Sequence, residues 1–226
     1  MQLGGEVPSS FSLHGDASFG AASEYKLVAL MAEAEGIAAG RIDADGPVCY
    51  QASDHENGWF GDYPQVACHS RGELGARAGL YSDNTAGHML VRDLGGGEAL
   101  NSFARRHGAT GSDLFDPNTI TAHDLAVLWA AESAGELGGA PAQAWLYPLL
   151  TGSRYESGIP ALLPRGLTAI HKTGALDLEA NDAALITGGA NGSYVLVVLT
   201  DNVGGAAGWA LIAQISAVVA RYEAER

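Results

Sequence analysis

The chain has 226 residues, 47% of them hydrophobic, enough to bury one sizeable core and a second lobe. Acidic residues outnumber basic ones 26 to 12, and the resulting charge of −14 argues against a nucleic-acid binder, which needs clustered Lys and Arg, and against docking on an anionic membrane. Only 17% of residues are charged, and the apolar content is too high for a disordered chain.

Residues 1–5 carry no basic stretch and no apolar core follows, so no secretory signal is read there; the protein is intracellular or the signal has been removed. Residues 7–14 read as a strand closed by Gly15-Asp16. Over 22–39, Leu27, Leu30, Met31, Ala34 and Ile37 recur at steps of three and four, the pattern of an amphipathic helix that Gly36 and Gly40 bring to its end. Residues 43–69 form a loop rich in Asp, Gly, Pro and aromatics. Helical patterning returns at 73–80 and 85–94 and stops at Gly95-Gly96-Gly97. Thr121 opens a further helix through Leu125, Leu128 and Trp129 as part of a capping box. The register then changes: 168–172 and 183–187 read as strands, and 194–200 (YVLVVLT) as a fully buried one. A C-terminal helix follows, with Trp209, Ile212, Ile215, Val219 and Tyr222 at helical spacing. It is too polar to be a membrane span. The 31 glycines follow no period, so they mark tight turns. Helices segregated from strands argue an α+β fold, not alternating βαβ units.

The chemistry lies around two lysines, the only ones in the chain. Lys26 closes Ser23-Glu24-Tyr25-Lys26 at the start of a helix, where positions i and i+3 share a face, so hydroxyl and amine can meet. A neutral lysine there can take the serine proton, and the helix dipole favours negative charge developing at Ser23. A lone Ser-x-x-Lys is a weak signal and reads better as a helix cap with a solvated lysine. Here it is accompanied, in order, by Ser82-Asp83-Asn84 before a helix and by Lys172-Thr173-Gly174 at a strand end.

These three motifs resemble the serine β-lactamase and penicillin-binding protein superfamily, class A β-lactamases most closely. The similarity extends to Phe19-Gly20-Ala21-Ala22 before the nucleophile and to Thr85-Ala86-Gly87 after Asn84, and covers about residues 11–226. It implies an antiparallel sheet lobe (about 7–20 plus 166–226) beside a helical lobe (about 22–165), in one domain with a shortened N-terminus. It implies Ser23 as acylated nucleophile, Lys26 as its proton acceptor, and Ser82 as proton relay to the leaving nitrogen. Asn84 would bind the substrate amide, and Lys172, Thr173 and Gly174 would line the opposite wall. The N–H groups of Ser23 and Ala175 would form the oxyanion hole. No metal or organic cofactor is implied. The substrate would be a small β-lactam or a peptidoglycan-type peptide, and the compartment periplasmic or extracellular. A penicillin-binding D-alanyl peptidase or esterase, or a non-catalytic sensor on the same fold, is the alternative.

Three departures follow. Only 22 residues precede Ser23, where the family has a helix and two strands. No Glu-x-x-x-Asn stands out for the deacylating water; Asp116 in Phe115-Asp116-Pro117 is one methylene shorter than glutamate, and reads more simply as part of a turn feeding the Thr121 cap. No motif places an arginine for a substrate carboxylate, leaving Arg154, Arg165 or His171. In the long loop, Asp54, His55, Glu56 and His69 match no zinc spacing. Cys49 and Cys68 would pin the loop as a disulfide in an exported protein and stay free thiols otherwise. Trp59, Phe60 and Tyr63 either wall a cleft or pack the loop down.

Overall fold

The computed structural model describes residues 1, 3 and 9–225. β1 (Ser18–Gly20) leads through a tight 3-10 turn at Ala22–Glu24 into α1 (Tyr25–Ala38). β2 (Pro47–Cys49) and β3 (Cys68–Ser70) bracket the long loop, and α2 (Arg71–Leu80), α3 (Asn84–Asp93) and α4 (Gly97–Arg106) follow. β4 (Thr119–Thr121), α5 (Ala122–Ser133) and α6 (Gly139–Leu146) lead to β5 (Thr168–Ala175), β6 (Ala180–Thr187), β7 (Tyr194–Leu199) and α7 (Gly205–Glu225). The fold is α+β, a helical lobe against an antiparallel sheet. No helix among the described residues is long and apolar enough to cross a membrane.

Helix α1 is the axis of the helical lobe. Leu27, Val28, Leu30 and Met31 are wholly buried, and α2, α3, α4 and α6 all pack on it. It is therefore apolar nearly all round instead of amphipathic. Three helix starts are capped by side chains: Ser70 accepts from the Glu73 N–H, Asp83 from Ala86 and Thr121 from Asp124. The Thr121 box is half formed, because the Asp124 carboxylate instead accepts from the N–H groups of Thr110 and Gly111 and from the Ser112 hydroxyl.

The sheet runs β5-β6-β7, all antiparallel. Period-two alternation splits its side chains. Ile170, Ala183, Leu185 and Val195 join the core of the helical lobe, whereas Ala169, Ala184, Ile186 and Tyr194 meet Ile159 and Ile212 of α7 on the other face.

Several expectations need correction. Residues 9–14 form no strand, and Val7 and Pro8 lie outside the described residues. The first strand is β1, beyond Gly15-Asp16, and it pairs with β4 (Phe19 opposite Ile120), so the described residues 9–20 do not extend the β5–β7 sheet. β7 is fully buried only at Tyr194 and Val195; Met1 and Leu3 bond its edge at Val195 and Ser193. Helices α4 and α6 escape the sequence pattern because each opens on glycines at positive φ, Gly96 (+87°) and Gly138 (+101°), which read as stops.

Candidate active site

Ser23 sits in the 3-10 turn and Lys26 in the first turn of α1. The Lys26 amine donates to Ser23 Oγ at 2.9 Å, to the Ser82 carbonyl at 2.8 Å and to Asn84 Oδ1 at 2.6 Å. Its side chain is completely buried, and burial, followed by the nearby Lys172 charge, holds it well below the usual lysine range. Glycine at position 87 permits this contact: a Cβ there would lie 2.8 Å from Lys26 Cε.

Ala22 and Ser82 both adopt left-handed backbone, at φ +49° and +57°, which costs a residue bearing a Cβ roughly 1–3 kcal/mol. Hydrogen bonds over-determine each. Asn118 accepts from the Ala21 N–H and donates through Nδ2 to the Ala22 carbonyl, both at 2.9 Å. Beside Ser82, the Asp83 carboxylate accepts from the N–H groups of Trp59, Phe60 and Ala86 and, at 2.6 Å, from the Tyr63 hydroxyl. The long loop and α3 are thus both fastened to the Ser82-Asp83-Asn84 segment.

Lys172 reaches the same place from β5. Its amine donates to Ser82 Oγ at 2.9 Å and to the Thr173 carbonyl at 2.6 Å. Burial lowers it to about 8, with Glu24 and Asp182 pulling the other way. The structure thus brings Ser23, Lys26, Ser82, Asn84 and Lys172 into one hydrogen-bonded group. Thr173 is buried beside it, and Ala175 is exposed at the strand end. A Cβ on Gly174 would approach the Ala21 carbonyl to 2.7 Å, so glycine lets β5 close on the turn before Ser23. Both ends of the Asn84 amide are occupied, since Nδ2 donates to Glu56 Oε1 and to the Asn57 carbonyl.

Asp116 stands apart. It is exposed, precedes a cis peptide to Pro117, and has no hydrogen bond among the described residues. Its neighbour Asn118 makes the contact with the nucleophile turn instead. His171 is not free to meet a substrate carboxylate: it is buried, 2.8 Å from Asp182 and 3.2 Å from Glu156. Arg165 is exposed ahead of the opposite end of β5. Arg154 stacks over the Trp59 ring at 4.2 Å, and the Trp59 indole donates to the Tyr155 hydroxyl. Trp59 is half exposed, whereas Phe60 and Tyr63 pack inward under the Arg77 guanidinium. Cys49 and Cys68 form a disulfide across β2 and β3. Asp54 pairs with Arg92, Glu56 with His88, and His69 lies against Glu73.

Sequence reasoning missed Asp83, Glu56 and Asn118. Asp83 had a signal, because Asp directly before an apolar-periodic run marks a helix N-cap. The other two had none, since their partners are distant in sequence.

A family model described as the beta-lactamase enzyme family matches residues 4–222. The chain belongs to the beta-lactamase enzyme family. Solved structures of similar fold include a mutant of PBP-A as its acyl-enzyme complex with penicillin G: 24% identity, TM-score 0.86, covering 95% of this chain and 85% of that one. A beta-lactamase from Sphaerobacter thermophilus is 25% identical with a TM-score of 0.85, over 96% of this chain and 88% of that one. A beta lactamase from Burkholderia vietnamiensis gives 24% and 0.85, over 93% and 84%. These share the fold of this member of the beta-lactamase enzyme family. A search of curated proteins found no match.

Proposed function

We propose that this β-lactamase-family protein is a serine hydrolase that acylates Ser23 with a β-lactam or a related amide, and that it releases the acyl group slowly. The observation that carries the reading is the Lys26 amine, buried, held below its usual range, and 2.9 Å from Ser23 Oγ. In the reaction, Ser23 Oγ attacks the substrate carbonyl carbon and its proton passes to neutral Lys26. The oxyanion is stabilised by the N–H groups of Ser23 and Ala175. The amide C–N bond then breaks as Ser82, hydrogen-bonded to Lys172, delivers its proton to the leaving nitrogen. Ser82 takes up in exchange the proton that Lys26 received from Ser23, which returns Lys26 to the neutral amine. Thr173 and Gly174 line one wall, and Asn84 exchanges Glu56 and Asn57 for the substrate amide. The scheme uses no metal or organic cofactor. The PBP-A relative captured with penicillin G supports acylation chemistry on this fold. The Cys49–Cys68 disulfide supports an exported protein, because such bonds persist in oxidising compartments. The exposed Asp116, without a hydrogen bond among the described residues, supports slow release.

Intact-protein mass spectrometry after incubation with penicillin G and a panel of cephalosporins tests the reading. A one-to-one adduct is expected in the wild type and none in Ser23→Ala. An adduct that persists in Ser23→Ala, mapped to Ser82 or elsewhere, overturns it.

A further inference from the structure

The residue immediately after the nucleophile has no part in the scheme above, yet it is the most anomalous polar group of the site. Glu24 is wholly inaccessible, and neither of its carboxyl oxygens has a hydrogen-bond partner among the described residues. Burying a carboxyl group without partners is costly, so its retention calls for a charge that compensates it. The turn that carries it packs against β5 and β6. Its Cγ lies 3.2 Å from where a Gly174 Cβ would stand, so the glycine makes room for it. The charged groups facing it are Lys172 and His171 from β5 and Asp182 from β6. His171 is already paired with Asp182 and Glu156, and Lys26 is bonded to Ser23, Ser82 and Asn84. Of the two cations facing Glu24 from β5, Lys172 is the one without a carboxylate hydrogen bond among the described residues; its amine donates to the Ser82 hydroxyl and the Thr173 carbonyl.

We propose that Glu24 is a positioning residue, the counter-charge that holds Lys172 as an ammonium ion against Ser82. The two groups then titrate as a coupled pair. Burial raises the carboxyl and lowers the amine, which brings their titrations towards each other. A charged Lys172 in turn keeps the nearby Lys26 neutral, so Glu24 acts on the proton acceptor through Lys172. The catalytic consequence rests on the function proposed above; the electrostatic one does not.

The test exploits the presence of only two lysines. Protein labelled with ¹³C in the lysine side chains gives two Cε titration curves, assigned with Lys172→Arg. In Glu24→Gln the Lys172 midpoint is expected to fall by at least one pH unit while that of Lys26 rises; Glu24→Asp is expected to restore part of both shifts. A purely structural defect does not move the two lysines in opposite directions. A Lys172 midpoint unchanged in folded Glu24→Gln overturns the proposal. If that variant does not fold, ¹³C-labelled glutamate in the wild type decides: the Glu24 carboxyl must show a step coincident with Lys172, and its absence overturns the proposal equally. Penicillin G acylation rates then test the catalytic consequence, with the alkaline limb of Glu24→Gln expected at lower pH. Absence of any acylation in the wild type would overturn the functional reading while leaving the lysine titrations decisive for Glu24.

Discussion

In the proposed reaction Lys26 serves two ends that oppose each other: it must be neutral to accept a proton, and its amine must stay within hydrogen-bonding reach of Ser23. Complete burial and the neighbouring Lys172 achieve the first, and the carbonyl of Ser82 and the side chain of Asn84 achieve the second. Lys26→Arg keeps a cation at the site but removes the base, because guanidinium does not deprotonate. Acylation of that variant is expected to fall by at least about a thousandfold, the upper part of the range for a positioned general base; near-native acylation would contradict the role. The pH profile has a sign at each end. Acylation rises as Lys26 loses its proton, below the usual lysine range, and declines as pH passes about 8, where Lys172 loses the charge that polarises Ser82. Stopped-flow acylation between pH 5 and about 10 checks both limbs, and a rate that keeps climbing above pH 9 would exclude a charged Lys172.

At the scale of elements, the junction of α2 with α3 and the pairing of β5 with β6 hold the site open. Asp83 joins the junction to the long loop through three hydrogen bonds and caps α3 through a fourth. Asp83→Ala strands three N–H groups and a hydroxyl, and is expected to destabilise the fold by about 3 kcal/mol or more in urea denaturation, with acylation lost in parallel. On the sheet, His171 and Asp182 form a buried ion pair, and the His171 pKa is raised from 6.5 to about 10. A raised pKa means the folded state holds the proton more tightly, so the contribution is complete below about pH 6.5 and is lost as pH rises towards 10. Melting temperature is expected to decline across that window, and to decline less in a His171→Asn, Asp182→Asn double variant; equal slopes would assign the pH dependence to other groups. The same elements show what the sequence made legible. Helices α1 and α3 and the three sheet strands have strong periods, and the reactive side chains lie at their ends, where two lysines each stand beside a serine. Helices α4 and α6 were hidden because a left-handed glycine before a helix looks like one after it. Glu56 and Asn118 were hidden because their roles arise from packing, Glu56 on Asn84 and Asn118 on the Ala22 carbonyl, and no local pattern encodes a partner from another element.

Across the whole molecule, the reactive group is assembled where separate layers meet: Ser23 and Lys26 from the central helix, Ser82 and Asn84 from the α2–α3 junction, and Lys172 from the sheet. On the proposed reading, that convergence supplies a nucleophile, its base and a proton donor, the groups acylation needs. Hydrolysis needs one element more, a carboxylate that orients and deprotonates water facing the ester. The segment between α4 and α5 is where such a group would come from, and here it delivers Asn118 to the nucleophile turn, leaving Asp116 exposed and without a hydrogen bond among the described residues. Two outcomes are separable. With Asp116 acting only as a turn residue, the wild type accumulates a long-lived acyl-enzyme with penicillin G, and Asp116→Asn changes its lifetime less than about threefold, under 1 kcal/mol in the barrier. With Asp116 as the base, the wild type turns over and the asparagine variant traps the adduct, because an amide does not accept the water's proton. The geometry favours accumulation. Time-resolved intact-mass measurements on both proteins decide the matter, and rapid penicillin G hydrolysis by the wild type with no adduct at steady state would show that Asp116, or another carboxylate, reaches the ester after all.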